Sequence, residues 1–272
     1  MADGPDALIA SSFAPMGSLE EKEGGAVLSG YWSFASGVDH AHWLILGARR
    51  QGRPVLVLAP RSEVQIKDDW KVIGLAGSGS KSLSVEGCWV PEDLILDMAA
   101  VESGETPGSR LSTAALFHLP WRPLFSYAFI PPILGATLAS VDEAHLYFKG
   151  RKSAFTDQAF RERPLAWYAV AQSRGEVDNA LTLMRQDLAE LEDATARQGL
   201  TRDLVLRASF RPALIAKLCR SSVDRLFHAS GGSALYDSHP LQSLFRDIQA
   251  MTQHPAVNYE IACETYGRAL ME

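Results

Sequence analysis

The segment GYWSFASGVDHAHW, residues 30–43, combines aromatic, hydroxyl and imidazole side chains within one short stretch. On a strand, alternate side chains share a face, so Trp32, Phe34 and Ser36 are expected on the same side. An aromatic ring beside a small hydroxyl would back a flat ring and give it one hydrogen bond. A core aromatic followed by a serine at the end of a strand would explain the pattern too, and this segment alone leaves both interpretations open.

Two histidines follow in the same segment, at positions 40 and 42. If the strand continues, His40 and His42 share a face and form a pair of candidate metal ligands. Zinc needs three or four protein ligands, and spacing places no further cysteine, histidine or carboxylate beside this pair. The sequence therefore predicts no metal site here.

A run of alternating glycine and serine, GSGS at residues 77–80, lies within GLAGSGSKSLSVEGCWVP. A phosphate-binding P-loop needs the full Gly-x4-Gly-Lys-Ser/Thr pattern between a strand and a helix, whereas this run leads into another strand-like segment. We therefore interpret it as a hairpin turn.

A third segment of interest, residues 229–260, carries a glycine pair and a histidine. Gly231 and Gly232 stand between two helical patterns, where outward backbone N–H groups would favour an anion, although helix termination explains the pair equally well. His254 precedes Pro255 inside a helical pattern, so the helix is expected to kink and leave carbonyls without partners. His254 is either part of a site at that break or an ordinary surface histidine.

The first part of the chain has the pattern of strands. Short apolar runs separated by turn residues predict a β-barrel or sandwich. The predicted strands are 26–35, 43–48, 55–59, 70–73 and 82–90.

The second part has the pattern of long helices, following a linker at residues 102–109. Apolar residues at three- and four-residue spacing predict an antiparallel four-helix bundle, with Thr201 as a helix cap and a last helix from Pro240. Strands followed by helices predict an α+β chain with a β-barrel domain at 1–105 and the bundle at 106–272. The remaining predicted helices are 131–152, 164–199 and 203–230.

Composition limits the classes of function. A net charge of -6 without a basic stripe argues against nucleic-acid binding. Cys88, Cys219 and Cys263 are odd in number and widely spaced, which is typical of a reducing cytoplasm rather than of a disulfide framework. The N-terminal residues lack the pattern of a signal peptide, and no uninterrupted apolar run reaches transmembrane length. We expect a cytoplasmic protein without a membrane partner.

Three blocks of the sequence together resemble the acyl-CoA dehydrogenase superfamily. The resemblance is closer to its flavin-dependent monooxygenase branch, the oxygenase components of two-component phenol hydroxylases such as 4-hydroxyphenylacetate and secosteroid hydroxylases. It implies reduced FMN or FAD between a β-barrel and a C-terminal bundle, in a homotetramer whose neighbours complete each flavin site. The blocks are SGYWSFASGVDHAHWLILGA, DDWKVIGLAGSGSKSLSVEGCWVPED and GGSALYDSHPLQSLFRDIQAMTQHPAVNYE.

The resemblance also implies residue roles. Ser36 would hydrogen-bond near flavin N5, and Phe34 would pack near the ring. Ser11, with Ser12 beside it, would face flavin and substrate from a loop. His254 matches a family histidine near the phenolic oxygen.

Further matched residues concern the rest of the cofactor. Gly231 and Gly232 match the loop that meets a neighbour's cofactor. Lys152 and Phe155 fall near the segment that binds the cofactor tail, where the agreement is poor, so FMN and FAD both stay open.

The implied reaction is hydroxylation of a phenol through a flavin C4a-hydroperoxide, with O2 and with reduced flavin from a separate reductase. His254 would polarise or deprotonate the phenol. A common acyl-CoA dehydrogenase has a carboxylate base in a Tyr-Glu-Gly-Thr segment where this sequence reads QHPAV, which disfavours that reaction. The resemblance is also compatible with an N- or S-oxygenase and with a non-catalytic subunit of the same fold.

Members of the family carry a helical domain ahead of the segment IASS, here residues 9–12. Only residues 1–8 precede that segment in this chain. We expect either a truncated chain or a second polypeptide that supplies the missing cover over the substrate.

Overall fold

The computed structural model describes residues 4–152 and 159–272. The chain folds as two compact units, one extending to Thr113 and the other beginning at Ala114.

The first unit is a seven-stranded mixed sheet in the order β5-β6-β2-β1-β3-β4-β7. Strand β1 pairs in parallel with β3 and antiparallel with β2. Strands β4 and β6 contact each other although they are not neighbours in that order, so the sheet curls around its core as a barrel does. The strands are β1 (Ile9–Lys22), β2 (Gly25–Ala35), β3 (Trp43–Arg50), β4 (Arg53–Pro60), β5 (Gln65–Lys67), β6 (Lys81–Pro91) and β7 (Ile95–Asp97).

The core of the barrel is organised around Trp32, which is fully buried. The Nε1 atom of Trp32 donates a 2.7 Å hydrogen bond to the carbonyl of Gly47, so the one polar atom of the ring is satisfied. A Cβ at Gly17 would lie 2.4 Å from the Trp32 ring, so only glycine fits beside it. Leu28, Leu44, Leu46 and Leu83 are also fully buried in this core.

Four of the five predicted strands are confirmed, and one is wrong. Residues 70–73 form no strand, because β5 lies earlier and pairs with β6, which leaves 68–80 as an irregular connection. The long strand β1 was not predicted, and residues 9–12 lie on it rather than on a loop. The predicted linker at 102–109 contains the end of one short helix, α1 (Met98–Ser103), and the start of another, α2 (Pro107–Leu111).

The second unit is the predicted antiparallel helix bundle. Helices α4, α5 and α6 pack on one another, and α7 packs on α4 and α6. The Thr201 hydroxyl accepts a hydrogen bond from the Leu204 N–H at the start of α6, which confirms the predicted cap. The helices are α3 (Trp121–Ala128), α4 (Ile130–Gly150), α5 (Pro164–Ala196), α6 (Arg202–Ser230), α7 (Pro240–Met251) and α8 (Tyr259–Met271). These two units confirm the predicted α+β class.

A buried carboxylate connects three helices of the bundle. Asp187 on α5 is 1% exposed and accepts hydrogen bonds from the Tyr127 hydroxyl and the Arg211 guanidinium. Burial, followed by the hydrogen bond to Asp187, raises the pKa of Tyr127. The carboxylate therefore has the charge partner and donors that a buried ion requires.

Residues Trp121–Gly150 are long and apolar enough to span a membrane by length and hydropathy alone. Within this unit, however, α4 packs on α5, α6 and α7. A helix that lies in the core of a bundle passes the same test, because its buried face is apolar.

Candidate functional site

The end of β2 presents Phe34 and Ser36 on the outside of the barrel. A register shift in the pairing of β2 with β6 lies between Trp32 and Ala35, and Phe34 has a φ of +64°. The strict alternation of the strand is broken there, so Trp32 and Ala35 are buried while Phe34 is 71% exposed. The expectation that Trp32 shares a face with Phe34 and Ser36 is therefore wrong.

The irregular connection 68–80 packs against this exposed ring. The Trp70 ring meets Phe34 edge-on, with 6.1 Å between the ring centroids. The Trp70 Nε1 atom also donates a 3.0 Å hydrogen bond to the carbonyl of Leu75, whose φ is +58°. Left-handed backbone at two non-glycine residues is a local strain of the kind that concentrates at functional sites.

Three serine hydroxyls lie together beside Phe34. The Oγ atoms of Ser36 and Ser80 are 2.7 Å apart, and those of Ser80 and Ser78 are 2.8 Å apart. The Ser78 hydroxyl donates to the carbonyl of Leu75 at 2.8 Å, and the Gly37 N–H donates to the carbonyl of Ser78 at 2.9 Å. The GSGS run is the end of the long connection 68–80 between β5 and β6, so the predicted hairpin turn is wrong. The run places two hydroxyls behind Ser36, which sequence reasoning missed.

The two candidate serines at the start of β1 differ in environment. Ser12 is buried, and its hydroxyl donates a 2.9 Å hydrogen bond to the carbonyl of Ser33, which ties β1 to the segment that precedes Phe34. Ser11 is half-buried and pairs with Ile45 of β3. The Ser12 hydroxyl is therefore engaged with the backbone of the same unit.

His40 and His42 do not continue β2. A 3-10 turn, Val38–His40, follows the strand, and His40 lies on it with an exposed side chain. The His42 Nδ1 atom accepts a 3.0 Å hydrogen bond from the Leu8 N–H. Within residues 4–152 and 159–272, no three His, Cys, Asp or Glu side chains are grouped as metal ligands.

His254 lies where the last helical segment is interrupted. Helix α7 ends at Met251, a 3-10 turn spans Pro255–Val257, and α8 begins at Tyr259, so the expected kink is a complete break. The His254 Nδ1 atom accepts a 3.1 Å hydrogen bond from the Ala256 N–H. An N–H at Nδ1 is incompatible with that bond, so neutral His254 carries its proton on Nε2. Burial lowers the pKa of His254, which favours this neutral form.

An aromatic cluster surrounds one side of His254. Its ring stacks on Phe129, with centroids 4.0 Å apart, and meets Phe125 edge-on at 6.1 Å. Trp121 in turn stacks on Phe125 at 4.9 Å. Residues 121, 125 and 129 are four apart and therefore share a helical face, a signal present in the sequence but not used. The imidazole is thus held by an apolar wall and one backbone bond.

The remaining predicted residues lie elsewhere in the chain. Helix α6 ends at Ser230, and Gly231, with a φ of +70°, turns the chain; both Gly231 and Gly232 are exposed. Lys152 is exposed and forms an isolated bridge with Ala159. Phe155 lies outside the described residues.

An open groove elsewhere on the barrel has a different character. Arg50 lies in it and forms ion pairs with Glu21 at 2.8 Å and Glu92 at 2.6 Å. These charges satisfy one another, and among the described residues no aromatic side chain lines the groove. It lacks the apolar surface that a flat aromatic cofactor needs.

Comparison with known proteins identifies the family. The family model for the acyl-CoA dehydrogenase C-terminal domain matches residues 127–259. A flavin-dependent monooxygenase oxygenase subunit, HsaA of Rhodococcus jostii, is 33% identical over 96% of this chain and 70% of its own length. The chain belongs to the oxygenase-subunit family of flavin-dependent monooxygenases.

Further relatives agree with this assignment. The oxygenase component of p-hydroxyphenylacetate 3-hydroxylase from Acinetobacter baumannii is 30% identical over 98% of this chain and 65% of its own length. The crystal structure of 3-HSA hydroxylase from Rhodococcus sp. RHA1 superposes with a TM-score of 0.92, at 30% identity over 99% of this chain and 71% of that one. The predicted flavin-dependent monooxygenase class is confirmed.

Proposed function

We propose that this oxygenase subunit hydroxylates a phenolic ring, using O2 and reduced flavin that a separate reductase supplies. Its relatives support this assignment, because they are named as oxygenase subunits or components and include hydroxylases of p-hydroxyphenylacetate and resorcinol. The proposal includes a cytoplasmic location and a homotetramer. Three unpaired cysteines, two of them buried, are consistent with a reducing compartment.

The residues at the end of β2 fit a flavin ring. The single observation that carries the proposal is the Phe34 side chain, which is 71% exposed at a strained φ of +64° beside the exposed Ser36 hydroxyl. An exposed aromatic held in a costly conformation is explained if a flat ring covers it. Phe34 would then shield one face of the ring from water, and Ser36 would form a hydrogen bond near N5.

The rest of the proposed site follows the resemblance. Ser11, which is half-buried on β1, would face flavin and substrate. Lys152 and Phe155 would approach the tail of FMN or FAD, and Gly231 and Gly232 would contact the cofactor of a neighbouring subunit. Reduced flavin supplies the electrons that activate O2.

His254 would bind the phenolic oxygen as a hydrogen-bond donor. Its Nδ1 lone pair is used by the Ala256 N–H, so the neutral ring offers Nε2–H rather than a second basic nitrogen. A donor at the phenolic oxygen stabilises the phenolate, whose ring carbons are more nucleophilic, while the phenolic proton leaves to solvent. Of the two roles expected for His254, polarising the phenol is favoured over deprotonating it.

A product assay with a panel of substrates tests the proposal. Purified chain receives chemically reduced FMN or FAD and O2, together with simple phenols, indoles or thiophenes, and products are identified by mass spectrometry. We expect hydroxylated phenols. Oxidation at nitrogen or sulfur alone would indicate an N- or S-oxygenase, and flavin oxidation without any product would indicate a non-catalytic subunit.

A further inference from the structure

The hydroxyls of Ser36, Ser80 and Ser78 form a continuous chain that ends at the carbonyl of Leu75. The three links measure 2.7, 2.8 and 2.8 Å, each within the range of a good O–H···O hydrogen bond. Ser80, at the centre, is 7% exposed, whereas Ser36 at the outer end is exposed. The chain thus leads from a backbone carbonyl to the surface beside Phe34.

The chain has one consistent direction of donation. A carbonyl oxygen only accepts, so the Ser78 hydroxyl must donate its proton to Leu75. A hydroxyl has a single proton, so Ser78 can only accept from Ser80 in the next link. The Ser80 proton is then used, and Ser36 must donate to Ser80. The Ser36 oxygen is left with lone pairs alone for any partner on its exposed side.

The anchor of the chain is itself held in place. The carbonyl of Leu75 also accepts from the Trp70 Nε1 atom at 3.0 Å and from the Ser78 N–H at 3.0 Å. Leu75 itself lies in the left-handed region, with a φ of +58° and a ψ of +32°. Because the Leu75 carbonyl can only accept, the direction of donation along the three hydroxyls is set by the fold rather than by the ligand.

We propose that Ser80 and Ser78 are positioning residues that fix the Ser36 hydroxyl as a hydrogen-bond acceptor and thereby make the site prefer reduced over oxidised flavin. Reduced flavin carries an N–H at N5, which needs an acceptor. Oxidised flavin has a lone pair at N5, which faces the Ser36 lone pairs unfavourably. This inference rests on the proposed placement of flavin N5 beside Ser36.

Anaerobic isothermal titration calorimetry tests the preference, with FMN and FAD measured in parallel, each oxidised and dithionite-reduced. We expect wild-type protein to bind the reduced form more tightly. The preference is measured as the dissociation constant of the oxidised form divided by that of the reduced form. Ser80→Ala frees the Ser36 proton to donate outward, so this ratio should fall by roughly three- to tenfold, which corresponds to the free energy of one hydrogen bond. Ser78→Ala should also lower the ratio. Ser80→Thr keeps the hydroxyl and should therefore keep the wild-type ratio.

Ser82→Ala is the matched control. Ser82 is 6% exposed, and its hydroxyl bonds to Ser33 at 3.3 Å, outside the chain of donation. The ratio of dissociation constants in Ser82→Ala should equal the wild-type value. Thermal melting of each variant separates a loss of folding from a loss of the preference for reduced flavin.

Two failures are distinguishable. If Ser36→Ala lowers the ratio but neither Ser80→Ala nor Ser78→Ala does, the direction of the chain is wrong while the proposed function stands. If wild-type protein binds neither reduced flavin, or if Ser36→Ala leaves the ratio unchanged, the flavin placement itself is overturned, and the inference with it.

Discussion

Replacing His254 separates its chemistry from its structural contacts. In the structure its Nδ1 atom accepts from the Ala256 N–H at 3.1 Å, and its ring stacks on Phe129. His254→Ala removes both contacts and the Nε2–H donor together. His254→Asn keeps an oxygen where Nδ1 lies, and asparagine is a favoured cap, so the turn at Pro255–Val257 is retained while the longer-reaching Nε2–H is lost.

The expected magnitude follows from the charge on the phenolic oxygen. A hydrogen bond to a charged group contributes about 1.5–3 kcal/mol, which corresponds to a rate loss of roughly 10- to 150-fold. Both variants should therefore hydroxylate slowly. His254→Ala should also lose about 1 kcal/mol of stability with its cap, whereas His254→Asn should not.

The assay is single-turnover product formation from reduced flavin, O2 and a phenol, followed by rapid quenching. Binding of reduced flavin, measured by anaerobic titration, should stay within about twofold of wild type in both variants. A full rate in His254→Asn would refute the donor role. Weaker binding of reduced flavin, with an unchanged single-turnover rate at saturating flavin, would show that His254 contacts the cofactor instead of the phenol.

Three further perturbations test the proposed site residues and the packing of the helix bundle. Burial lowers the pKa of His254 below its ordinary value near 6.5, so on acidification this histidine is protonated in the unfolded state before it is protonated in the folded state. The free energy of unfolding, measured with urea, should therefore decrease as pH falls below about 6.5, and it should decrease less in His254→Asn. Phe34→Gly relieves the positive φ and removes an exposed ring, so unfolding free energy should rise by about 0–1 kcal/mol while calorimetry shows weaker flavin binding. Asp187→Asn leaves Arg211 without its charge partner and should cost roughly 3 kcal/mol in urea unfolding, whereas Glu264→Gln, in an exposed pair, should cost less than about 0.5 kcal/mol.

Helices were predictable because their signals are local. Periodicity, the Thr201 cap and the proline at 240 located the bundle helices to within a few residues. The break at His254 was foreseen as a kink from Pro255, but its completeness depends on the imidazole capping the next turn. That contact requires a side-chain rotamer, which periodicity does not encode.

The barrel was less predictable because its decisive features are long-range. The bulge that turns Phe34 outward depends on how β2 pairs with β6, more than forty positions away in sequence. The hydrogen bond between Ser36 and Ser80 likewise joins residues 44 positions apart in sequence. Residue types nominated Phe34 and Ser36 as candidates without deciding their exposure. Alternation placed Trp32 on their face, whereas Trp32 is buried and Phe34 is exposed.

Oxygen-isotope transfer is the most direct test of the central claim that this chain is an oxygenase. Purified protein, chemically reduced flavin and a phenol are mixed under 18O2 without a reductase, and the product is analysed by mass spectrometry. We predict a hydroxylated phenol that carries one atom of 18O, with Phe34→Gly giving less product and more hydrogen peroxide. Oxidation of flavin at the rate of the free cofactor, with no labelled phenol, would contradict the claim.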